Sequence, residues 1–329
     1  MLYKLYQLKF LTPVHFGSEK RGTSLENANI MCHSDTLFSA ICNEYVKLYD
    51  ELELDDYKEL FEDGKILISS MFPYKGSDLF VPKPSIMVER KNVNEEESAR
   101  AYKNKKKMKK LEFISVCDFQ NYINCIKTGE QFTYDEEDYE IAKYSDNAKV
   151  SLRTNEDENK LYHVGTYTFK EDAGLYFIAA FEEESYAEQF ENILTSLQYS
   201  GIGGKRTSGY GKFEYDDIEL NGNLLPSEQA LLDLLKAEGR YRMALSVVSP
   251  DENEIETDFS NSFYNLIKRD GFIYSVDYAE TLVKRKNLVM FKEGSCFDIP
   301  IKGTIQDVSD NGKHSIYRYG KAITIGVEV

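Results

Sequence analysis

The residues best suited to chemistry in this sequence lie in a glycine-rich stretch at positions 198–215. Five glycines fall within eleven positions, around the Lys-Arg-Thr-Ser segment at 205–208. Glycine lets the backbone adopt positive φ and approach a ligand closely, while the lysine, arginine and hydroxyl groups supply charge and hydrogen bonds. By its composition, this stretch predicts a loop that holds a phosphate group.

The flanking residues indicate which kind of phosphate loop this is. Apolar residues upstream repeat at helical spacing, and residues 213–219 alternate downstream as in a strand. A nucleotide-binding loop runs from strand to helix, and the glycine spacing here fits neither nucleotide-loop motif. The order favours a loop between the last helix and the last strand of a ferredoxin-like unit, held against RNA. A long turn with a capping glycine is the plainer alternative.

Composition sets limits on the function. A length of 329 residues is enough for about two domains. The formal net charge of −16 speaks against non-specific coating of DNA, but basic residues cluster at 102–110 and 201–212, where a local groove could contact a polyanion. The five cysteines and four histidines show no metal-binding or disulfide pattern, so no metal and no cofactor are expected.

The amino-terminal segment predicts a strand rather than a signal peptide. Lysines and a glutamine interrupt residues 2–11, and no apolar run in the sequence approaches membrane-spanning length. We therefore expect a cytoplasmic protein.

Periodicity predicts the elements that position the glycine loop. Residues 2–12 predict a first strand, a helix begins at Ser34 or Asp35 as N-cap, and 66–72 predict another strand. Segments 161–170 and 175–181 predict a hairpin turned at 171–174, and the charged segment 131–160 predicts an insertion or hairpin. Such an order gives a β-α-β-β-α-β unit over 1–225, followed by a second unit over 226–329. The fold class is therefore α+β, with two ferredoxin-like, RRM-like domains.

His15 follows the first strand and would lie beside the glycine loop if the first and last strands of the unit are neighbours. It could contact a phosphate or a base, act as a general acid or base in RNA cleavage, or be merely structural. Phe16 and Tyr210 neighbour glycines and could stack on a base. The N-terminus of the helix at Ser34 could hold a phosphate, but an Asp35 cap would repel an anion.

Several motifs, taken in their order along the chain, resemble one known family. They are Val14-His15-Phe16-Gly17, the Ser-Asp-Thr-Leu-Phe-Ser-Ala segment at 34–40, Val81-Pro82-Lys83-Pro84, the Gly-Leu-Tyr-Phe segment at 174–177, the glycine-rich segment 201–211, and the Tyr-Arg-Tyr-Gly-Lys segment at 317–321. Together they resemble the RAMP subunit-four family of the Csm complex, the type III-A CRISPR effector. The resemblance extends over nearly the whole chain.

That resemblance implies two ferredoxin-like RAMP domains and a non-catalytic role in antiviral and anti-plasmid defence. The subunit would bind the 5′ tag of the crRNA and link the large polymerase/cyclase-like signalling subunit to the backbone RAMP subunit of the filament, meeting target RNA only indirectly. It implies RNA contacts by residues of the His15 turn and the glycine loop, together with two arginines elsewhere in the chain: His15, Phe16, Gly17, Gly203, Gly204, Lys205, Arg206, Thr207, Tyr210, Arg21 and Arg153.

Two other classes of function remain as alternatives. A metal-independent endoribonuclease would cut CRISPR repeat RNA with His15 as acid or base. A phosphate-loop enzyme would bind a nucleotide saturably. The RNA-binding scaffold is the function that the residues and the resemblance favour together.

Overall fold

The computed structural model describes residues 1–18, 25–49, 53–86, 110–151, 160–275, 278–279, 281 and 283–329. Within these residues lie six α-helices, which are α1 (Ser34–Leu48), α2 (Leu54–Glu62), α3 (Phe119–Thr128), α4 (Glu184–Ser200), α5 (Pro226–Lys236) and the short α6 (Glu252–Ile255). The strands of the N-terminal part are β1 (Leu2–Phe10), β2 (Phe16–Gly17), β3 (Ala28–Asn29), β4 (Ile66–Ile68), β5 (Phe72–Lys75), β6 (Asp78–Pro82), β7 (Phe113–Ser115), β8 (Ala142–Ser151), β9 (Lys160–Phe169), β10 (Ala173–Phe181) and β11 (Phe213–Glu219). Those of the C-terminal part are β12 (Tyr241–Ala244), β13 (Leu266–Arg269), β14 (Leu288–Phe291), β15 (Cys296–Phe297), β16 (Gln306–Asp307), β17 (Tyr317–Arg318) and β18 (Thr324–Val327).

A seven-stranded antiparallel sheet organises the N-terminal part. Its order is β11-β1-β10-β5-β6-β7, and β4 also pairs with β10. β10 is buried at every position, which explains why its sequence is an almost unbroken apolar run instead of an alternating one. The pairing of β1 with β11 places the ends of the first and last strands of this part side by side.

The two faces of this sheet are buried against different partners. One face packs under α1 and α4, where Phe38 and Phe190 meet Phe177 of β10 in one apolar cluster. The other face joins α5 and the C-terminal strands, with Ile178 of β10 and Met243 of β12 in a second cluster. The N-terminal and C-terminal parts of the chain therefore share a hydrophobic core, whereas the length alone had suggested two domains with cores of their own.

The predicted hairpin of 161–170 with 175–181 is wrong. β9 pairs instead with β8, in register from Ala142 opposite Phe169 to Ser151 opposite Lys160, and β10 joins β1, β4 and β5. A strand that is apolar on both faces is driven to the middle of a sheet, while the more polar β8 and β9 form a two-stranded ribbon of their own.

The predicted start of the first helix is also corrected. α1 begins at Ser34, with His33 in the N-cap position and no side chain bonded back to the first turn. The hydroxyl of Ser34 accepts a hydrogen bond from the backbone N–H of Val247, at 3.1 Å, instead of capping its own helix. In the C-terminal part, a three-stranded sheet of order β15-β12-β18 lies beside the paired β13 and β14. None of the described helices combines the length and apolarity needed to cross a membrane.

Candidate nucleic-acid interface

The glycine loop occupies residues 201–212, between the end of α4 and the start of β11. Its backbone contacts the turn that follows β1, because the N–H of Gly204 donates to the carbonyl oxygen of His15 at 2.8 Å. A Cβ atom on Gly204 would lie 2.7 Å from Cδ2 of the His15 imidazole, so any larger residue here would displace the imidazole or the loop. The predicted neighbourhood of His15 and the glycine loop follows from the pairing of β1 with β11.

A cavity of about 500 Å³ opens between this loop and the C-terminal part of the chain. Four segments line it: the turn after β1, the start of α1, the glycine loop, and stretches of the C-terminal part near β13, Arg285 and β17. The volume lies within the range typical of ligand sites in proteins. A surface built from segments this far apart in sequence depends on the whole fold.

The cavity is strongly basic. Among the described residues, its lining contains six cationic side chains and two carboxylates, a formal charge of +4, in a chain whose net formal charge is −16. The cations are Lys205, Arg206, Lys268, Arg269, Arg285 and Arg318. A concave surface with this concentration of positive charge attracts anions and excludes cations.

One buried carboxylate organises the arginines at the base of the cavity. Arg269 binds Asp35 through two hydrogen bonds, with Nε 2.9 Å from Oδ2 and Nη2 2.8 Å from Oδ1, and Arg318 Nη1 donates to Oδ2. Burial by itself raises the pKa of Asp35, but the charges of Arg269 and Arg318 outweigh that effect and hold the pKa well below its ordinary value. Asp35 is therefore ionised and links α1 to β13 and β17.

Arg285 lines the same cavity, but in the described part of the chain no carboxylate is hydrogen-bonded to its guanidinium. Burial lowers the pKa of its guanidinium to about 10, and the charge of Arg318 acts in the same direction. Its Nη2 atom donates to the carbonyl oxygen of Phe272 at 3.2 Å. The guanidinium thus remains cationic at neutral pH while facing other arginines.

His33 forms a second buried polar group at the cavity wall. Its Nδ1 atom lies 2.8 Å from Oε1 of Glu293, and that same oxygen accepts a hydrogen bond from the hydroxyl of Ser70. Burial raises the pKa of Glu293, but the charge of His33 and the hydrogen bonds from His33 and Ser70 more than offset it, so the pKa is lowered. This network joins the start of α1 to the loop after β14.

His15 is 5% exposed, and its Nδ1 atom lies 2.7 Å from the carbonyl oxygen of Gly165. A carbonyl oxygen can only accept, so Nδ1 carries the proton and Nε2 is left near Gly204. Burial lowers the pKa of His15, and the positive charge of Lys205 lowers it further. The hydrogen bond to Gly165 raises the pKa but does not offset the effect of burial. A neutral imidazole in this setting holds the β9 backbone against the glycine loop.

Aromatic rings flank the cations of the glycine loop. The guanidinium of Arg206 lies 4.9 Å from the ring centroid of Tyr274, and Lys205 Nζ lies 4.9 Å from that of Tyr162 in β9. Tyr274 is 67% exposed, so most of its ring is open to a ligand. Nucleic-acid bases and cations both stack on such rings, so the rim of the cavity offers a surface for bases beside the cationic groups that attract phosphate.

The structure brings most of the predicted site residues together. Eight of them line the cavity: His15, Phe16, Gly17, Gly203, Gly204, Lys205, Arg206 and Thr207. Phe16 is 5% exposed and packs against Phe10, so its ring forms part of the wall and offers little surface for a base to stack on. Tyr210 does not line the cavity, and its ring faces Lys149 of β8 at 5.5 Å from Nζ to the centroid. Arg21 and Arg153 lie outside the described residues.

Sequence reasoning missed the contribution of the C-terminal part. Arg269, Arg285, Lys268 and Tyr274 come from segments interpreted only as strand candidates or not interpreted at all. The available pattern was the pair of basic clusters at 268–269 and 284–286, which flank a segment rich in aromatic residues. Among the described residues, no group of histidine, cysteine and carboxylate side chains is arranged to hold a metal ion.

Comparisons with protein families match both parts of the chain. Residues 7–214 match the model of the RAMP superfamily, which is more than half of the chain, and residues 237–327 match the model of the CRISPR Csm4 C-terminal domain.

Relatives and solved structures agree with those matches. The chain is 29% identical to the "CRISPR system Cms protein Csm4" of Mycobacterium tuberculosis, over 95% of this chain and 94% of that protein. It is also 29% identical to the protein of the same description from Streptococcus thermophilus, over 100% of each. Its fold matches the Csm4 chain of a Csm3-Csm4 subcomplex in the type III-A CRISPR-Cas interference complex, with TM-score 0.63 and 20% identity over 99% of both chains. A Csm1-Csm4 cassette in complex with pppApA gives TM-score 0.61 and 19% identity, over 100% of this chain and 99% of that one.

Proposed function

Because this chain belongs to the RAMP superfamily and, within it, to the Csm4 family, we propose that its basic cavity binds the 5′ tag of a crRNA. Membership of that family makes the chain a subunit of a type III-A Csm effector. The loop would contact the backbone of the RNA, while the aromatic rim would contact bases. We place this assembly in the cytoplasm, where an RNA-guided complex meets its target transcripts.

The charge of the cavity is the observation that carries this proposal. An acidic protein that gathers six cations around one concave surface has a site for a polyanion. Lys205 has positive φ, Gly204 donates its N–H to the carbonyl oxygen of His15, and Gly203 packs closely on the same carbonyl group. These contacts favour a loop backbone that is ordered before RNA binds. A preorganised loop loses less conformational entropy on binding than a mobile one.

The architecture suits two ferredoxin-like domains with a boundary near residue 225. Strands β11, β1, β10 and the pair β4 and β5 lie in the order of a ferredoxin-like sheet, with α1 and α4 as its two helices. The domain of 226–329 would be the second such unit, reduced in helix content and fused to the first through the shared core.

The same geometry favours a scaffold over an endoribonuclease. The Nδ1 proton of His15 is engaged by Gly165, and the ring is buried against Gly204. A histidine that acts as a general acid or base needs a ring nitrogen within hydrogen-bond reach of the 2′-hydroxyl, and a buried ring does not offer that access. We therefore assign His15 a positioning role and no catalytic one.

Two protein partners follow from the family. Solved relatives pair a Csm4 chain with Csm1 or with Csm3. We propose that this chain likewise joins the large signalling subunit to the backbone filament, and that it meets target RNA only through the crRNA.

Substitution of Lys205 and Arg206 by alanine tests the RNA site. Binding of the full chain to a fluorescent single-stranded RNA that carries the tag would be measured by anisotropy over a range of salt concentrations. We expect the variant to bind the RNA about tenfold more weakly than the wild type. The slope of log K against log salt concentration should be shallower by about 0.7 for each phosphate that the variant no longer neutralises.

The matched control is Lys236→Ala with Arg240→Ala, which removes the same charge from two exposed positions outside the cavity. Circular dichroism would establish that both double variants are folded. Equal loss of affinity in both would mean that only net charge matters. Unchanged binding and unchanged incorporation of RNA into the assembled complex by the Lys205 and Arg206 variant would refute the site.

A further inference from the structure

Among the described residues, the base of the cavity holds three guanidinium groups and one buried carboxylate, Asp35. Arg269 and Arg318 both bind Asp35, and Arg285 lines the same cavity. Asp270, the other carboxylate of the lining, is half exposed and lies 3.9 Å from Lys268. The arginine cluster is defined here as Arg269, Arg285 and Arg318. In the described part of the chain, Arg285 donates to a backbone carbonyl oxygen and has no carboxylate partner.

Three N–H groups of this cluster are buried without a hydrogen-bond partner among the described residues. They are Nε of Arg285 and both Nε and Nη2 of Arg318. The Arg318 side chain is 2% exposed, so water at the surface does not solvate its Nε and Nη2 atoms. A buried charged donor without an acceptor is costly, and native structures supply an acceptor in nearly every case.

We propose that the arginine cluster is a binding site for one phosphate group, held by Arg285 and the unpartnered side of Arg318. A guanidinium presents two parallel donors that match the spacing of phosphate oxygens, so a phosphate dianion or a phosphodiester could accept from the unpartnered nitrogens. Asp35 holds Arg318 through its Nη1 atom and so leaves Nε and Nη2 for another acceptor. The carboxylate thus orients the arginine without occupying all of its donors.

The phosphate could come from the RNA backbone or from a free phosphate ion, and the chemistry of recognition is the same. That the RNA supplies it rests on the proposed function, since the cluster and the glycine loop line one cavity. That a phosphate binds there at all rests only on the geometry of the arginines. Phosphate binding and RNA binding are therefore measured separately.

The first measurement is thermal unfolding of the full chain in increasing inorganic phosphate, against sodium chloride of equal ionic strength. A ligand that binds the folded state raises the melting temperature as its concentration exceeds Kd. We expect this rise in the wild type and in the control Arg240→Met, and its loss in Arg285→Met. An equal rise in all three proteins would overturn the site. Should Arg285→Met fail to fold, Arg285→Lys keeps the charge but removes the paired donors, and it should show a clearly smaller rise.

The second measurement is binding of single-stranded RNA with a 5′-hydroxyl end, so that only internal phosphates are present. Arg285→Met should bind it about fivefold more weakly if the RNA backbone fills the site. Unchanged RNA binding together with a lost phosphate effect would identify a free phosphate ion as the ligand. If the Lys205 and Arg206 variant also bound RNA normally, the proposed function would fail while the phosphate site remained.

Discussion

The backbone N–H of Gly204 donates to the carbonyl oxygen of His15, and the ring of His15 fills the space where a side chain at 204 would be. This relationship joins the glycine loop to the turn after the first strand, which the loop also contacts through the N–H of Gly211 and the carbonyl oxygen of Pro13. It depends on two conditions, which are the pairing of β1 with β11 and the lack of a Cβ atom at residue 204. Both conditions are local to the N-terminal part of the chain.

Gly204→Ala should therefore displace the loop. The added Cβ atom would lie 2.7 Å from Cδ2 of His15, and relief of that contact moves either the imidazole or the loop. We expect a loss of about 1–3 kcal/mol in the free energy of unfolding, and weaker binding of tag RNA. Chemical denaturation and anisotropy would measure the two effects.

Gly209→Ala is the matched control for that substitution. Gly209 has φ of +86°, and a Cβ atom added there would have no atom within 4 Å. Alanine at this position therefore adds backbone strain without a side-chain contact. It should lower the free energy of unfolding by about 1–2 kcal/mol and leave RNA binding within twofold of the wild type. Equal loss of RNA binding in both variants would show that loop flexibility, and not the contact with His15, is what matters.

The ion pairs of Asp35 should make stability depend on acid pH. Its pKa is lowered in the folded state, so the pairs contribute fully above the pKa of the unfolded chain, about 3.9, and the contribution is lost as pH falls through the lower folded value. Asp35→Asn removes one partner of a buried group and should cost about 3 kcal/mol or more above pH 5. The difference between wild type and variant should then shrink below pH 4.

Glu293 also has a lowered pKa, so acid lability of the wild type alone would not identify Asp35. The difference between the two proteins isolates it, because both contain Glu293. Urea unfolding of each from pH 3 to pH 7 gives that difference. If the difference in the free energy of unfolding between the wild type and Asp35→Asn stayed constant down to pH 3, Asp35 would have the same pKa in the folded and unfolded states.

Repeat RNA should stay intact when incubated with the chain in EDTA. His15 is held neutral and buried, which makes it unsuited to acid or base catalysis at a 2′-hydroxyl. His15→Ala should lower the free energy of unfolding by about 1–3 kcal/mol, because the carbonyl oxygen of Gly165 loses its donor. Specific cleavage by the wild type that disappears in His15→Ala would instead establish the endoribonuclease.

Local patterns predicted the glycine loop and its neighbour His15 because the relevant contacts follow from strand pairing within one unit. Asp35 shows where such patterns stop. In the sequence it is an acid in the first turn of a helix and was expected to repel an anion. In the fold, Arg269 and Arg318 arrive from more than 230 residues away and reverse the local charge. No periodicity within one segment encodes a contact made through tertiary packing.

The misassigned hairpin has a related cause. Residues 171–172 form the turn between β9 and β10, yet the strands on either side have different environments. β10 is apolar on both faces and takes the centre of the sheet, while β9 finds its partner in the charged residues of β8. Burial on the second face comes from the C-terminal part of the chain, which the local sequence does not indicate.

Tyr274 should contribute a stacking surface at the rim of the cavity. Its ring is 67% exposed and contacts Arg206 of the glycine loop, so a base could stack on it without unfolding any core. Tyr274→Leu should weaken binding of tag RNA about fivefold or more, as expected when one base no longer stacks on an aromatic ring. Tyr274→Phe, which keeps the ring, should bind like the wild type. Tyr199→Leu removes a tyrosine that is 74% exposed on α4 and outside the cavity, and it should have no effect. If Tyr274→Phe weakened binding as much as Tyr274→Leu, the hydroxyl group and not stacking would be responsible.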